Sequence, residues 1–123
     1  MTFFKVYIVM KRISTLKMNY EFKNVFTKGK FYIGNQIIIH ILKNKYGENR
    51  LGIALSSKLC NAVKRNRIKR VIRACYQENI KDTNKGYDIV IIWNKKAFIG
   101  DLSYKIIYED MKKIFLNSGI KIK

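Results

Sequence analysis

The first stretch of the chain with a clear period is Asn19–Lys28, where Tyr20, Phe22, Val25 and Phe26 recur at helical spacing and Gly29 follows. Asn19 is the predicted N-cap, since its side-chain oxygen suits the open amides of a first turn. Residues 30–42 then change character: isoleucine and aromatic residues dominate, interrupted by Gly34-Asn35. This predicts a short strand, a turn or bulge, and a second strand over residues 36–42. The polar stretch 43–49, containing Gly47, predicts a hairpin loop, with residues 50–56 (RLGIALS) as the returning strand.

Residues 61–79 carry the strongest helical signal. Asn61 can cap them, and Ile68, Val71, Ile72 and Cys75 form one apolar stripe at i, i+3, i+4 and i+7. Residues 81–86 predict a loop. Tyr87–Trp93 (YDIVIIW) is nearly continuous in apolar residues, the pattern of a strand buried inside a sheet. A last helix is predicted over residues 103–117, carrying Ile106, Ile107, Met111, Ile114 and Phe115, with Gly119 just beyond. The order αβββαβα implies an α+β sandwich, three helices packed on a small sheet.

With 123 residues, no proline, no repeat and no low-complexity linker, the chain is expected to form one domain. Its start is irregular. Met1 to Met10 (MTFFKVYIVM) is apolar but for Lys5 and its hydroxyls, and its basic flank follows the run, which is wrong for a signal peptide. It reads either as an added edge strand or as a start assigned too early, with translation beginning at Met10; the second is preferred. Residues 1–11 are therefore set apart as an extension, and 12–123 taken as the domain. No apolar run reaches the ~18–20 residues of a membrane span. Cys60 and Cys75, with His40 as the one histidine, are too few for a structural zinc site and are expected to be reduced in the cytosol.

Charge changes the picture most. Lys and Arg number 26 against 8 Asp and Glu, a net +18. A lysine-rich composition explains the scattered lysines, but four of the six arginines fall between positions 65 and 73, and no acid lies between Glu48 and Glu78. This clustering points to nucleic acid as the partner. On a helical wheel Arg65, Lys69 and Arg73 form one row, Asn66, Arg70 and Arg73 a neighbouring one, and Arg67 lies further round the same exposed arc. Guanidinium forks suit phosphate oxygens, so the helix has one greasy side and one side fit to grip a nucleic-acid backbone. A solvated basic face is the common alternative; the arginine density and missing acids argue against it.

Phe22 and Phe26, four apart on the first helix beside strands bearing Tyr32 and His40, could stack on unpaired bases while Lys58 holds the backbone. Spacing alone favours a core pair. Catalytic constellations are lacking: one histidine, dispersed acids with only Glu109-Asp110 adjacent, and no phosphate-binding glycine loop. No catalytic residue is expected in this chain.

The run Arg50-Leu51-Gly52-Ile53, then Ser56, Lys58, Asn61-Ala62-Val63 and Arg65-Asn66-Arg67-Ile68-Lys69-Arg70 with Arg73, resembles the protein component of bacterial ribonuclease P. Leu16 to Asn19, Phe22, Val25-Phe26 and Gly29 resemble that family's opening helix, so the likeness covers about residues 12–117. The resemblance implies an α/β sandwich with a four-stranded sheet and a left-handed crossover placing the arginine-rich helix. It implies an endoribonuclease holoenzyme that removes the 5′ leader of precursor tRNA, with Mg²⁺ chemistry in a large RNA subunit. Arg65, Asn66, Arg67, Lys69, Arg70 and Arg73 would dock on that RNA. Phe22, Phe26, His40 and Lys58 would line the leader cleft, and Asn66 would help arrange a metal. The likeness raises the stacking reading of Phe22 and Phe26 to at least equal weight.

Three residues depart from the family pattern. Ser57 stands where a second basic residue is frequent, Cys60 where glycine is frequent, and His40 where the cleft often shows tyrosine. His40 can still stack, and it is expected to titrate near neutral pH. A non-enzymatic RNA-binding module such as a ribosomal protein is the second reading, and the arginine string discriminates against it. A DNA-binding basic helix is disfavoured by the lack of a dimerising heptad, and no membrane partner is expected.

Overall fold

A computed structural model describes residues 13–121; the readings of residues 1–11 and of the start at Met10 lie outside them. Helix α1 (Asn19–Lys28) is followed by strands β1 (Lys30–Ile33), β2 (Ile37–Lys43) and β3 (Arg50–Ala54). Helix α2 (Ala62–Asn79), strand β4 (Tyr87–Trp93), a single 3-10 turn (Ile99–Asp101) and helix α3 (Tyr104–Asn117) complete the expected order.

The strands form one sheet in the order β1-β2-β4-β3, antiparallel except for the parallel pair β3 and β4. The predicted hairpin between β2 and β3 is therefore wrong. Strand β4 lies between them, pairing Ile37 with Trp93 through Lys43 with Tyr87 on one side and Arg50 with Asp88 through Ala54 with Ile92 on the other. Its run of apolar residues explains the choice, because a central strand with neighbours on both sides buries most of them, Ile89, Val90, Ile91 and Trp93 among them. Two parallel neighbours need a crossover, and α2 supplies it. Residues 14–16 run along the outer edge of β3, where the Leu16 amide donates to Leu51 O (2.9 Å) and the Leu51 amide to Ser14 O (2.8 Å).

Alternation divides the sheet into two faces. Ile37, Ile39, Ile41, Leu51, Ile89, Ile91 and Trp93 meet Ile68, Ile72, Cys75 and Tyr76 of α2 and Ile107, Met111, Ile114 and Phe115 of α3 in the main core. Each fully buried side chain of this size stabilises the fold by about 1.5–3 kcal/mol before entropic costs. The opposite face is only partly roofed. Leu16, Val25 and Phe22 pack there against Val90, Leu42, Ala54 and Ile92. Phe22 lies so close over Gly52 that a Cβ at that position would stand 2.6 Å from its ring, so glycine seats the helix on the sheet.

Polar tethers fix the elements. The N-cap of α1 is Met18, not Asn19. Capping comes instead from Glu21, whose Oε1 accepts the Lys17 and Met18 amides at 2.8 Å each. These bonds, together with Arg50, hold the Glu21 carboxyl below its usual range. Asn61 caps α2 as expected, accepting from the Lys64 amide, and Ser103, predicted to lie inside the last helix, instead caps α3 by accepting from the Ile106 amide. The acid Asp110 is buried and accepts the amides of Asn35 (2.9 Å) and Gln36 (2.8 Å), tying α3 to the β1–β2 turn.

Candidate nucleic-acid interface

Helix α2 turns its apolar stripe inward and leaves Asn66, Arg67 and Arg70 exposed, with Arg65, Lys69 and Arg73 half-buried beside them. Among the described residues none of these five cations pairs with a carboxylate; the ion pairs are Arg50–Glu21, Arg50–Asp88 and Lys81–Glu78. An unneutralised ridge of five cations costs self-repulsion that phosphates would relieve. Arg65 differs from the other four. Its Nη1 donates to the carbonyls of Ser57 (3.2 Å) and Cys60, stapling the loop that carries Lys58 onto the first turn of α2. The wheel placed it in an outward row without that tether, because its partners lie in the preceding loop.

Arg50 belongs to a different class. Its Nε and Nη2 donate to the two Asp88 oxygens at 2.8 Å each, Nη1 donates to Glu21 at 2.9 Å, and the Tyr46 ring lies 4.1 Å below it. These carboxylates raise its pKa further, so its charge is committed inside the protein.

Beside α1 the open part of the sheet forms a shallow apolar cleft. Phe26 meets His40 edge-on, centroids 4.8 Å apart at 85°, and His40 lies 5.7 Å from Phe31, its cross-strand partner. Cross-strand neighbours share a face, so Phe31, Ile33, Ile38, His40 and Ile92 belong to this floor. Phe31 and Ile33 are 60% and 66% exposed, apolar surface that a folded chain ordinarily hides. Both were missed in the sequence, although their alternation on a short edge strand was the available signal. Tyr32 points to the other side and packs into the main core, so it is no part of the cleft. Phe22, half-buried over Gly52, forms the inner wall more than a free stacking surface.

Within the cleft His40 Nδ1 is buried with no hydrogen-bond partner. Desolvation pushes its pKa below the ordinary value, which favours the neutral ring. Lys58 is exposed in the loop where β3 ends, joining this end of the sheet to the arginine helix. Phe26 and His40 are thus in contact, Phe22 sits one turn away, and Lys58 stands on the loop that Arg65 holds. Cys75 is buried with its thiol pushed up to about 12, an inert structural residue.

The family model for Ribonuclease P matches residues 10–118. The chain belongs to the ribonuclease P protein family. A relative in Fusobacterium nucleatum, named Ribonuclease P protein component, is 43% identical over 110 residues, covering 88% of this chain and 99% of its own. The ribonuclease P protein of Staphylococcus aureus superimposes with a TM-score of 0.75 at 27% identity, covering 89% of this chain and 98% of its own. That of Thermotoga maritima gives 0.73 at 27% identity, covering 82% and 94%. The reading as a ribosomal module is not favoured by these relatives. No helix among the described residues is long and apolar enough to cross a membrane.

Proposed function

We propose that this chain acts as the protein subunit of ribonuclease P, docking on the catalytic RNA through α2 and holding the 5′ leader of precursor tRNA in the cleft beside α1. The observation that carries the docking half is the ridge of Arg65, Arg67, Lys69, Arg70 and Arg73, with no carboxylate partner among the described residues. The cleft half is supported by the exposed rings of Phe26 and Phe31 and the half-buried His40 in contact with them, which suit unpaired bases better than a duplex. Arg65 orients the loop bearing Lys58, which would meet the leader backbone. Cleavage of the leader phosphodiester belongs in this reading to the RNA subunit, and the holoenzyme would work in the cytoplasm with its tRNA substrates.

Mg²⁺ supplies the RNA subunit's cleavage chemistry in this scheme. The chain's own residues do not fit a resident Mg²⁺ site. Among the described residues no three His, Cys, Asp or Glu side chains converge, and Asn66 stands among cations. Divalent cations prefer several oxygen ligands and here meet one amide oxygen in a repulsive field. RNA phosphates would therefore hold the ion, leaving Asn66 at most to orient an ion already bound.

The test is a salt series of binding to a ribonuclease P RNA. Arg67→Ala is expected to weaken docking and to flatten the slope of log affinity against log salt by roughly 0.7–0.9 per lost phosphate contact. An unchanged slope would show that this face does not meet RNA.

A further inference from the structure

Strand β4 leads into a loop whose order comes from both sides of one residue. The Trp93 indole donates to Ala97 O at 3.0 Å, and the Asn94 amide donates to Gly34 O at 2.8 Å while its oxygen accepts from the Lys96 amide at 3.1 Å. Ala97 and Ile99 are rooted in the main core. Between them Phe98 is turned outward and is 73% exposed. Its ring lies against Gly100, where an added Cβ would overlap Cε2 and stand 2.9 Å from Cζ. Gly100 is thus the residue that lets the ring lie where it does, close against the backbone and largely open to solvent.

The surroundings are basic. Lys64, Lys95 and Lys96 share with Phe98 a groove of about 600 Å³ that begins at the Asn61 cap of α2. A smaller hollow of about 140 Å³ shares Lys64, Ile99 and Gly100 with it and reaches Arg67. The groove is therefore continuous with the arginine ridge. No carboxylate lines either one; Asp101, the nearest in sequence, is absent from both linings. An exposed aromatic ring flanked by lysines suits a flat, apolar-faced group attached to phosphates, which describes an unpaired nucleotide.

We propose that Phe98, with Lys64, Lys95 and Lys96, forms a stacking platform for one unpaired base of the RNA subunit docked on α2. This rests on the docking role of α2 given above. The RNA subunit, and not the leader, is the source because the loop is rooted through Ala97 and Ile99 in the core on the α2 side of the sheet. The aromatic cleft of Phe26 and His40 opens on the opposite face.

The experiment uses the full chain with a ribonuclease P RNA and compares Phe98→Ala, Phe98→Leu and Phe98→Tyr. Equilibrium affinity for the RNA subunit is measured, followed by the affinity of the reconstituted holoenzyme for leader-bearing and mature tRNA. Removing the ring is expected to weaken RNA-subunit binding roughly fivefold to a hundredfold, the range for a lost base stack. Phe98→Leu should lose nearly as much, since it keeps apolar bulk but no π-face, and Phe98→Tyr should bind like the parent. Preference for leader-bearing tRNA and the thermal midpoint should not move, because the ring is exposed. Unchanged RNA-subunit binding by Phe98→Ala overturns the platform, as does full binding by Phe98→Leu. A loss confined to leader-bearing tRNA overturns the assignment of the base to the RNA subunit. Weak binding by Arg67→Ala beside normal binding by Phe98→Ala sinks the platform alone; normal binding by both sinks the docking face as well.

Discussion

Replacing Arg50 with methionine separates an arginine that holds the fold from those that face outward. The substitution keeps an unbranched chain of similar length and removes two bonds to Asp88, one to Glu21 and the stack on Tyr46. Asp88, 6% exposed at its side chain, would retain one side-chain bond, from Asn44 Nδ2 at 2.7 Å. Stranding a buried charge by deleting its partner costs roughly 3–5 kcal/mol, and the surviving Asn44 bond argues for the lower end, about 3. A domain of this size has a total stability of about 5–15 kcal/mol, so the variant should fold with a much reduced margin. The assay is urea unfolding followed by the fluorescence of Trp93, the single tryptophan, 4% exposed in the core. Adding Asp88→Asn should recover part of the loss, since no buried charge is then left unpaired. The salt slope of RNA binding should equal that of the parent, because Arg50 reaches no phosphate. A destabilisation below about 1 kcal/mol, the range of exposed ion pairs, would refute the reasoning.

Two further outcomes follow from the cleft. Phe26→Ala is expected to weaken holoenzyme binding of leader-bearing tRNA by roughly fivefold or more, as for one lost base stack, and to leave mature tRNA binding unchanged; an equal loss for both would remove the leader from the cleft. Stability should fall on acidification, and the sign follows from the two shifted groups. His40 has a lowered folded pKa, so the unfolded chain takes the proton first and stability declines from about pH 6.5 downward. Glu21 is also lowered, so its contribution is present above its ordinary value and is lost as pH falls through the folded one. Unfolding midpoints between pH 8 and 4 check this, with His40→Phe expected to erase the upper part of the decline. A midpoint constant from pH 7 to 5 in the parent would contradict the lowered His40 pKa.

Much of the architecture could be read from periodicity. The limits of α1 and β4 follow from where apolar spacing begins and ends, and the cap Asn61 from its local chemistry. Neighbourhood in the sheet could not be read this way. A period of two tells which side a residue faces but not which strand lies next to it, so β2 and β3 looked like a hairpin until β4 was found between them. The basic helix was legible because its arginines are local. The division among arginines was not, since Arg50 meets carboxylates 29 and 38 positions away and Arg65 turns back to its own loop. Asn19 lost the cap to Glu21, whose carboxylate reaches back to two amides that Asn19 does not serve. In the cleft, helical spacing identified Phe22 and Phe26, but exposure decides between them. Phe26 remains open, while Phe22 is absorbed by Gly52 and Leu16.

The central claim is that this chain makes a catalytic RNA more effective without cutting anything itself. The direct measurement is cleavage of a 5′-leader precursor tRNA at low Mg²⁺ by a bacterial ribonuclease P RNA, with and without the chain. Restored cleavage at the mature 5′ end, still wholly dependent on the RNA, is the predicted result. Tight RNA binding that leaves cleavage unchanged, or cleavage by the chain without the RNA, would contradict it.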